Sequence, residues 1–485
     1  MDNDQVNMKS AAVSAMEEAW SLVDDLRGGT SAMRKAGARR MPKFPQESDS
    51  VYTARLNAAT LFPAYSKTCV DLAAKPFSRP ITMSEDMTDE QEKWTENIDK
   101  QGRNLAQYCA EWLELSIAYG MSHTFVDFPV NPGARTKKQE EDLGLRPYFV
   151  MVKATQLLGW RADEDGRLTQ VRFKEKVRVE DGAYGDKEIE QVRVLEVGRW
   201  ATWRKTTDAA AGGKESWAIH AQGQTTLNVI PFVTVYGRRE GLLMSKPPMI
   251  ELAHMNVKHW QSQSDQDNIL HVARVPILKA IGVDDMFTLT VGTQAAVKLP
   301  PGADLAFAEH SGAAIGAGKV SLDDLKDEMR QAGAELLVQR PTARTATEIS
   351  SDNASNLSDL QRIVQDMEDN VDLALDYMAQ WARLPKAGTV TIYNEFLAPT
   401  GGANATGDVL AAVTAGILSK ESAFGELKRR GTINSEASWD EEKERIEDEG
   451  PPQGRIDELT GLPYKEPAAP PDPNAVPAGP KPPIQ

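Results

Sequence analysis

The chain has 485 residues, 41% of them hydrophobic, which is room for about three domains at roughly 150 residues each and excludes a single small module. Asp and Glu outnumber Lys and Arg by 71 to 55, a formal net charge of −16, so the mean surface potential repels phosphate. That excludes a protein that grips nucleic acid over its whole surface, and two cysteines exclude a disulfide framework or a four-cysteine zinc site.

The first residues, Met1 to Lys9, are polar and acidic, with nothing that reads as a signal peptide, and no run of 18 apolar residues occurs anywhere. A soluble protein made in the cytoplasm is expected. The N-terminal 125 residues read mostly as helix. Met16, Trp20, Val23 and Leu26 form an amphipathic stripe that Gly28-Gly29 should stop. A basic segment from Arg34 to Pro45 follows. Tyr52 to Phe77 gives a second helical pattern through Leu61, Tyr65, Cys69, Leu72 and Ala73, broken by Arg79-Pro80. Asn104 to Tyr119 is a third helix, ended by Gly120, after which His123 to Phe128 reads as a strand. Cys69 and Cys109 both fall in these helices and are expected to be reduced and buried.

Strand texture dominates Tyr148 to Tyr236. The segments Tyr148–Val152, Leu168–Arg178, Gln191–Arg204, Glu215–Ala221 and Pro231–Tyr236 predict a mainly antiparallel sheet, with Thr206 to Gly213 as a hairpin tip. Pro247-Pro248 then opens a helix of about 27 residues, capped by Ser245 and stopped by Pro276. Its middle, Gln261 to Asn268, reads QSQSDQDN. Buried polar turns lose hydration unless they find partners, so this stretch suits either a helix crossing water or a wet subunit contact, or else the solvated side of an ordinary surface helix.

Asp284 to Val320 is short-strand material. A second helix is expected from Leu322 to Val338, its first turns carrying Asp323, Asp324, Asp327 and Glu328 where the helix dipole favours them. Two helices flanking a small β insert make a stalk with a tip. Leu357, Leu360, Val364, Met367, Val371, Ala374, Met378 and Trp381 then alternate by three and four residues. With Thr345 and Glu348 as a capping box, the helix is expected from Ala346 to Leu384, roughly 58 Å at 1.5 Å per residue. A strand at Thr389 to Phe396 and helices at Gly407–Ala415, Ser422–Lys428 and Trp439–Glu449 follow. Pro451 to Gln485 is rich in Pro, Ala and Asp and reads as a flexible tail.

Recognisable catalytic chemistry is absent from the sequence. Ala211-Gly-Gly-Lys214 lacks the first glycine of a phosphate loop, with Asp208 in its place, and Glu215 follows the lysine. No two of the six histidines are spaced i,i+4; the closest pair, five residues apart, would lie about 140° apart around a helix. Acid pairs such as Asp284-Asp285 and Asp323-Asp324 could hold Mg²⁺ but are ordinary at turns and helix starts. No metal or cofactor is expected. Arg340-Pro-Thr-Ala-Arg344 is more distinctive, because it puts two guanidinium groups on a short loop of an acidic chain. They could contact phosphates without reading bases, or pair with neighbouring carboxylates in an interhelical linker.

The order of these elements resembles the portal proteins of tailed bacteriophages, and in particular a portal-like branch long catalogued as a domain of unknown function. The stretches that carry the resemblance run from Tyr52-x-x-Arg55-Leu56 through Ala74-Lys-Pro-Phe77, then Ala118-Tyr-Gly120 to His123-Thr-Phe-Val-Asp-Phe128, Ile230-Pro-Phe to Tyr236-Gly237, and Thr345-Ala-Thr-Glu348. It covers roughly Trp20 to Glu449. It implies a mixed α+β subunit: a wing over residues 1–246, stem helices at 247–282 and 322–339, and a β-rich clip at 283–321. A tunnel loop at 340–345, a long wing helix and strand at 346–403, a helical crown at 404–449 and the tail at 450–485 complete it. The implied role is non-enzymatic. A ring, normally of twelve copies, would sit at a capsid vertex of the virion and conduct double-stranded DNA during packaging and ejection. Terminase large subunit, major capsid protein and head-to-tail adaptor would be its partners, and no membrane. Arg340, Thr342 and Arg344 would touch DNA transiently. A minor head or adaptor protein without a channel, and a metal-dependent nucleic-acid-processing enzyme, remain alternative readings.

Overall fold

The computed structural model of the chain describes residues 3–84, 86–130, 132–133, 135–208, 214–273, 277–282, 301–308, 313–337, 358–394, 405–429, 432–433 and 437–449. It divides into two compact units, Met1–Leu397 and Ala398–Gln485. The fold is mixed α+β, as the sequence texture predicts.

In the first unit, α1 (Ala11–Arg27) starts at Ser10, whose Oγ accepts from the Val13 amide, and buries the expected stripe of Met16, Trp20, Val23 and Leu26. The glycine pair ends α1 but does not end the helical run, because α2 (Gly29–Ala36) begins at once. The pattern read as one helix over Tyr52 to Phe77 is two, α3 (Asp49–Ala58) and α4 (Ala64–Ala74). Pro63 is the reason, since a proline pushes the residue before it out of helical geometry. After β1 (Thr82–Met83) and α5 (Asp89–Glu96), α6 (Leu105–Tyr119) runs as predicted, with Asn104 and Gln107 forming a reciprocal capping box. Tyr108, Cys109, Trp112, Leu113, Ile117 and Ala118 are all fully buried, so α6 is the central helix. Cys69 and Cys109 are free and buried; burial pushes the Cys69 thiol up to about 12.

The strand region then follows: β2 (Met121–Asp127), α7 (Lys137–Asp142), β3 (Tyr148–Lys153), β4 (Leu157–Ala162), β5 (Leu168–Asp181), β6 (Gly185–Glu196), β7 (Arg199–Asp208), β8 (Lys214–Gln224), β9 (Phe232–Tyr236), β10 (Arg239–Gly241) and β11 (Met244–Ser245). Instead of one sheet, the described residues of this region form a small β10-β11 pair and two larger sheets, a three-stranded β3-β2-β9 and a five-stranded meander β4-β5-β6-β7-β8, all antiparallel. They meet where the Phe173 ring lies 6.2 Å from Phe125 and 5.8 Å from Phe232. The segment Gln191 to Arg204, read as one strand, turns at Val197-Gly198 and pairs with itself as β6 and β7. The tip expected at Thr206 to Gly213 joins β7 to β8, and residues 209–213 lie outside the described residues.

The chain continues as α8 (Ile250–Ala273), β12 (Ile277–Ile281), β13 (Asp304–Ala308), α9 (Ala313–Ala334), α10 (Asp359–Ala382) and β14 (Val390–Thr391). Four expectations are corrected here. First, residues 277–281, placed in the first stem helix, are a strand, and residues 313–321, placed in the clip, are helix. Asp323, Asp324, Asp327 and Glu328 therefore stand within α9 rather than at its start, and the dipole argument for them fails. Asp323 reaches Lys326 at 3.3 Å and Asp327 pairs with Arg330 instead.

Second, α10 begins at Asp359, not Ala346. Ser358 is extended (φ −68°, ψ 160°) and forms a capping box with Gln361, so no continuous helix can cross it. The helix has 24 residues, about 36 Å rather than 58. Thr345 and Glu348 lie outside the described residues. The buried seam of Leu360, Val364, Met367, Val371, Ala374 and Met378 is as predicted, and Trp381 is half-buried against Phe128. Third, Ser245 does not cap α8, since its buried hydroxyl has no hydrogen-bond partner and the helix starts five residues later. Fourth, over 389–394, the described part of the strand expected at 389–396, β14 is two residues long and pairs with β1.

The second unit holds α11 (Ala405–Thr414), α12 (Lys420–Arg429) and α13 (Trp439–Glu449), with Phe424 and Trp439 in ring contact at 5.4 Å. The tail at 450–485 lies outside the described residues.

Candidate functional site

The geometry of interest is the place where α8 leaves the core. Two glycines surround its start. Gly120, at φ +88°, ends α6 and stands so close to the Lys246–Pro247 peptide that a Cβ there would sit 2.6 Å from the Lys246 carbonyl carbon. A Cβ on Gly237 would sit 2.4 Å from the Ser116 carbonyl oxygen and 3.2 Å from Pro248 Cδ. The Gly237 amide also donates to the Gly120 carbonyl at 2.7 Å. Two stretches that look unrelated in sequence, Ala118 to Gly120 and Tyr236-Gly237, thus form one seat for the double proline.

The first half of α8 is then held on several sides. Asn256, fully buried, accepts from the Tyr65 amide at 3.0 Å and donates to the Phe62 carbonyl at 2.9 Å. Helix α4 follows Pro63, an N-terminal cap position with no capping side chain, and Asn256 supplies the missing acceptor from another helix. His259 is 2% exposed with both ring nitrogens unpartnered, tilted on Phe62 at 5.5 Å. Burial, reinforced by Lys326, keeps its pKa low and the ring neutral.

The polar mid-section proves to have partners within the chain. Gln261 donates to the Arg40 carbonyl at 2.8 Å, Ser264 lies 3.7 Å from the Met41 sulfur, and Gln266 donates to the Ile315 carbonyl of α9 at 3.0 Å. Gln263 and Asp267 bond each other on the outer side. One side of QSQSDQDN is therefore satisfied by the subunit itself and the other is wet. Asp265 reaches Arg55 at 3.7 Å, and burial raises its carboxyl above the usual range while Arg55 opposes the shift.

Arg55 is the hub on the facing side. Its guanidinium bonds both oxygens of Glu47 at 2.8 Å and the Pro42 carbonyl at 3.1 Å, and it lies over the Phe44 ring at 4.3 Å. Tyr52, the other polar member of that stretch, donates to the Met41 carbonyl at 3.0 Å. Tyr52 and Arg55 thus pin the basic loop after α2 against α8.

Beyond Gln266, α8 runs with α9, and the hairpin of β12 and β13 stands between them, paired over five rungs and joined by no third strand among the described residues. Helix α9 buries Leu322, Leu325 and Met329 on one side and turns Asp323, Asp324, Asp327 and Glu328 outward. Val320 is 60% exposed and Ile281 47%.

The other stretches singled out in the sequence meet around β2. His123 is buried, with Nδ1 2.8 Å from Thr234 Oγ1 and its ring stacked on Phe232; burial pushes its pKa down to about 3, so it is a neutral core histidine. Asp127 meets Arg193 at 3.2 Å. Arg340, Thr342 and Arg344, with Thr345 and Glu348, lie outside the described residues. Among the described residues no group of three His, Cys, Asp or Glu is placed to hold a metal ion, and no helix is long and apolar enough to cross a membrane. Asn256 was not legible as functional; the signal that points to it is the uncapped start of α4.

No curated protein matches the chain. Solved structures similar to it include three chains from gene transfer agent particles. A chain from the neck of an empty gene transfer agent particle computed with C6 symmetry is 12% identical, with 74% of this chain and 87% of that one covered at a TM-score of 0.39. One from the virion of the native particle is 12% identical, covering 81% and 97% at 0.40. One from the native neck computed with C12 symmetry is 13% identical, covering 82% and 98% at 0.39. Residues 248–382, the run from the start of α8 to the end of α10, match the family described as Domain of unknown function (DUF4055).

Proposed function

We propose that the chain is the subunit of a portal-like ring at a vertex of a phage-type capsid, a non-enzymatic conduit for double-stranded DNA. The observation that carries this reading is the rod formed by α8 and α9: its base is locked into the core through Gly120, Asn256 and Arg55, and a two-stranded hairpin interrupts it between the helices. Among the described residues, a rod built this way is supported at one end only. Copies standing side by side would cover its remaining faces, where Val320 and Ile281 are now exposed.

The acidic outer side of α9 suits such a channel. DNA has to slide, and few cations on the wall mean few phosphate contacts to break. In this reading α8 and α9 are the stem, and the hairpin with its loop is the clip that meets terminase large subunit and later the head-to-tail adaptor. The wing surface faces the major capsid protein. Arg340, Thr342 and Arg344 supply the narrow basic grip on phosphate. The subunit is made in the host cytoplasm and ends in the virion.

The test is the mass of the purified assembly. A stable ring near twelve copies, about the number the portal resemblance implies, supports the reading, and a persistent monomer or dimer at high concentration removes it. Replacing both Arg340 and Arg344 with Ala is expected to lower DNA packaging or retention while rings still form; loss of the rings would make those arginines structural.

A further inference from the structure

We propose that the β5–β6 hairpin is an arm between subunits, its tip residue Tyr184 seated in a groove on the outer face of the five-stranded sheet of a second copy of this chain. The arm is unusual for what it lacks. Strand β4 stops pairing with β5 at Phe173 and β7 stops pairing with β6 at Gln191, yet β5 and β6 continue together from Lys176↔Glu190 to Asp181↔Gly185. A two-stranded ribbon with both edges free is marginal in water on its own. Its tip presents Tyr184 at 105% exposure, and just behind it Glu180 stands directly opposite Asp186, a like-charge pair that costs stability until a cation approaches. Arg178 reaches Asp186 at 3.7 Å, but Glu180 has no cation partner among the described residues.

The groove has the opposite character. It is a cavity of about 1200 Å³ floored by Trp203 and Ile219, which face each other across β7 and β8. Arg161 and Arg172 stand on its rim close enough to repel one another, and neither has a carboxylate partner among the described residues. Arg172 spends its bonds on the carbonyls of Gln5 and Val6. Two uncompensated guanidinium groups beside an indole and an isoleucine match an acidic tip with a tyrosine at its end.

A chain cannot fill its own groove. Tyr184 lies ten residues from Val194, which lines the groove, and that is roughly 33 Å along an extended strand. Tip and groove are opposite ends of one sheet, so the contact runs head to tail and propagates until it closes. It deepens the ring reading by naming one of the contacts around the ring, and rests on that reading for closure but not for the contact itself.

The test is a cross-link in the full chain carrying Ala183→Cys and Gln222→Cys, oxidised with diamide; Cys69 and Cys109 are buried and do not compete. The double variant is expected to give a ladder of covalent multimers, each single variant no more than a dimer, and equimolar single variants one mixed junction. Adding Tyr184→Ala should cut the yield about tenfold, as loss of a buried aromatic anchor does. A double variant that labels fully with maleimide yet gives no ladder overturns the arm, even where wild-type rings form. A ladder that extends without closing at a fixed number keeps the arm and overturns the ring.

Discussion

Gly120→Ala is expected to lower the stability of the first unit by about 3 kcal/mol, read as a fall in the denaturant midpoint at unchanged slope. Two costs combine. An L-residue at φ +88° is strained, and the new methyl would stand 2.6 Å and 2.7 Å from the carbon and oxygen of the Lys246 carbonyl, backbone atoms that cannot swing aside. Gly144→Ala separates the two, because Gly144 also has positive φ (+62°) but nothing within 4 Å of its would-be Cβ. It should lose only about 1 kcal/mol. Equal losses at the two sites would show that the Lys246–Pro247 seat contributes nothing. Because the displaced peptide leads directly into α8, the Gly120 variant should also assemble poorly at temperatures where it is still folded.

Arg55→Ala is the second large effect, on the order of 3 kcal/mol, because it leaves the Glu47 carboxylate buried without its partner. The side chains of Arg55 and Glu47 are 4% and 5% exposed, so water cannot replace what is lost. The variant also carries a pH signature. Bonds from Arg55 hold the Glu47 carboxyl below the usual carboxylate range against its burial, so its stabilising contribution is complete above the unfolded-state pKa and is lost as pH falls through the depressed folded-state value. Stability of the wild type should therefore decline on the acid side more steeply than that of Arg55→Ala. Parallel acid limbs would mean that the pair is not formed in solution.

What could be read in advance followed from local physics. The seam of α10 was legible because a three-and-four spacing has one helical solution, and α6 because Asn104 and Gly120 mark both its ends. The start of α10 was misplaced because two capping boxes compete, Thr345 with Glu348 and Ser358 with Gln361, and spacing does not rank them. The early start of α9 was hidden by its composition. Residues 313–320 read AAIGAGKV, and two glycines argue against helix, yet Gly318 lets α9 pass close to the Gln266 side chain of α8. The site was less legible still. Gly120 and Gly237 were visible as glycines at element ends, but their convergence on Lys246 and Pro247 is a tertiary fact, as is the use of Asn256 to cap a helix that begins 192 residues earlier.

The central claim is that α8 and α9 of neighbouring copies stand side by side around an opening. Electron microscopy of the purified full-length protein tests it most directly. A ring should give end-on views with a central hole wide enough for a DNA double helix, and side views in which a narrower stalk projects from a broad body. Particles with α8 and α9 packed inside a solid globule and no hole would contradict it.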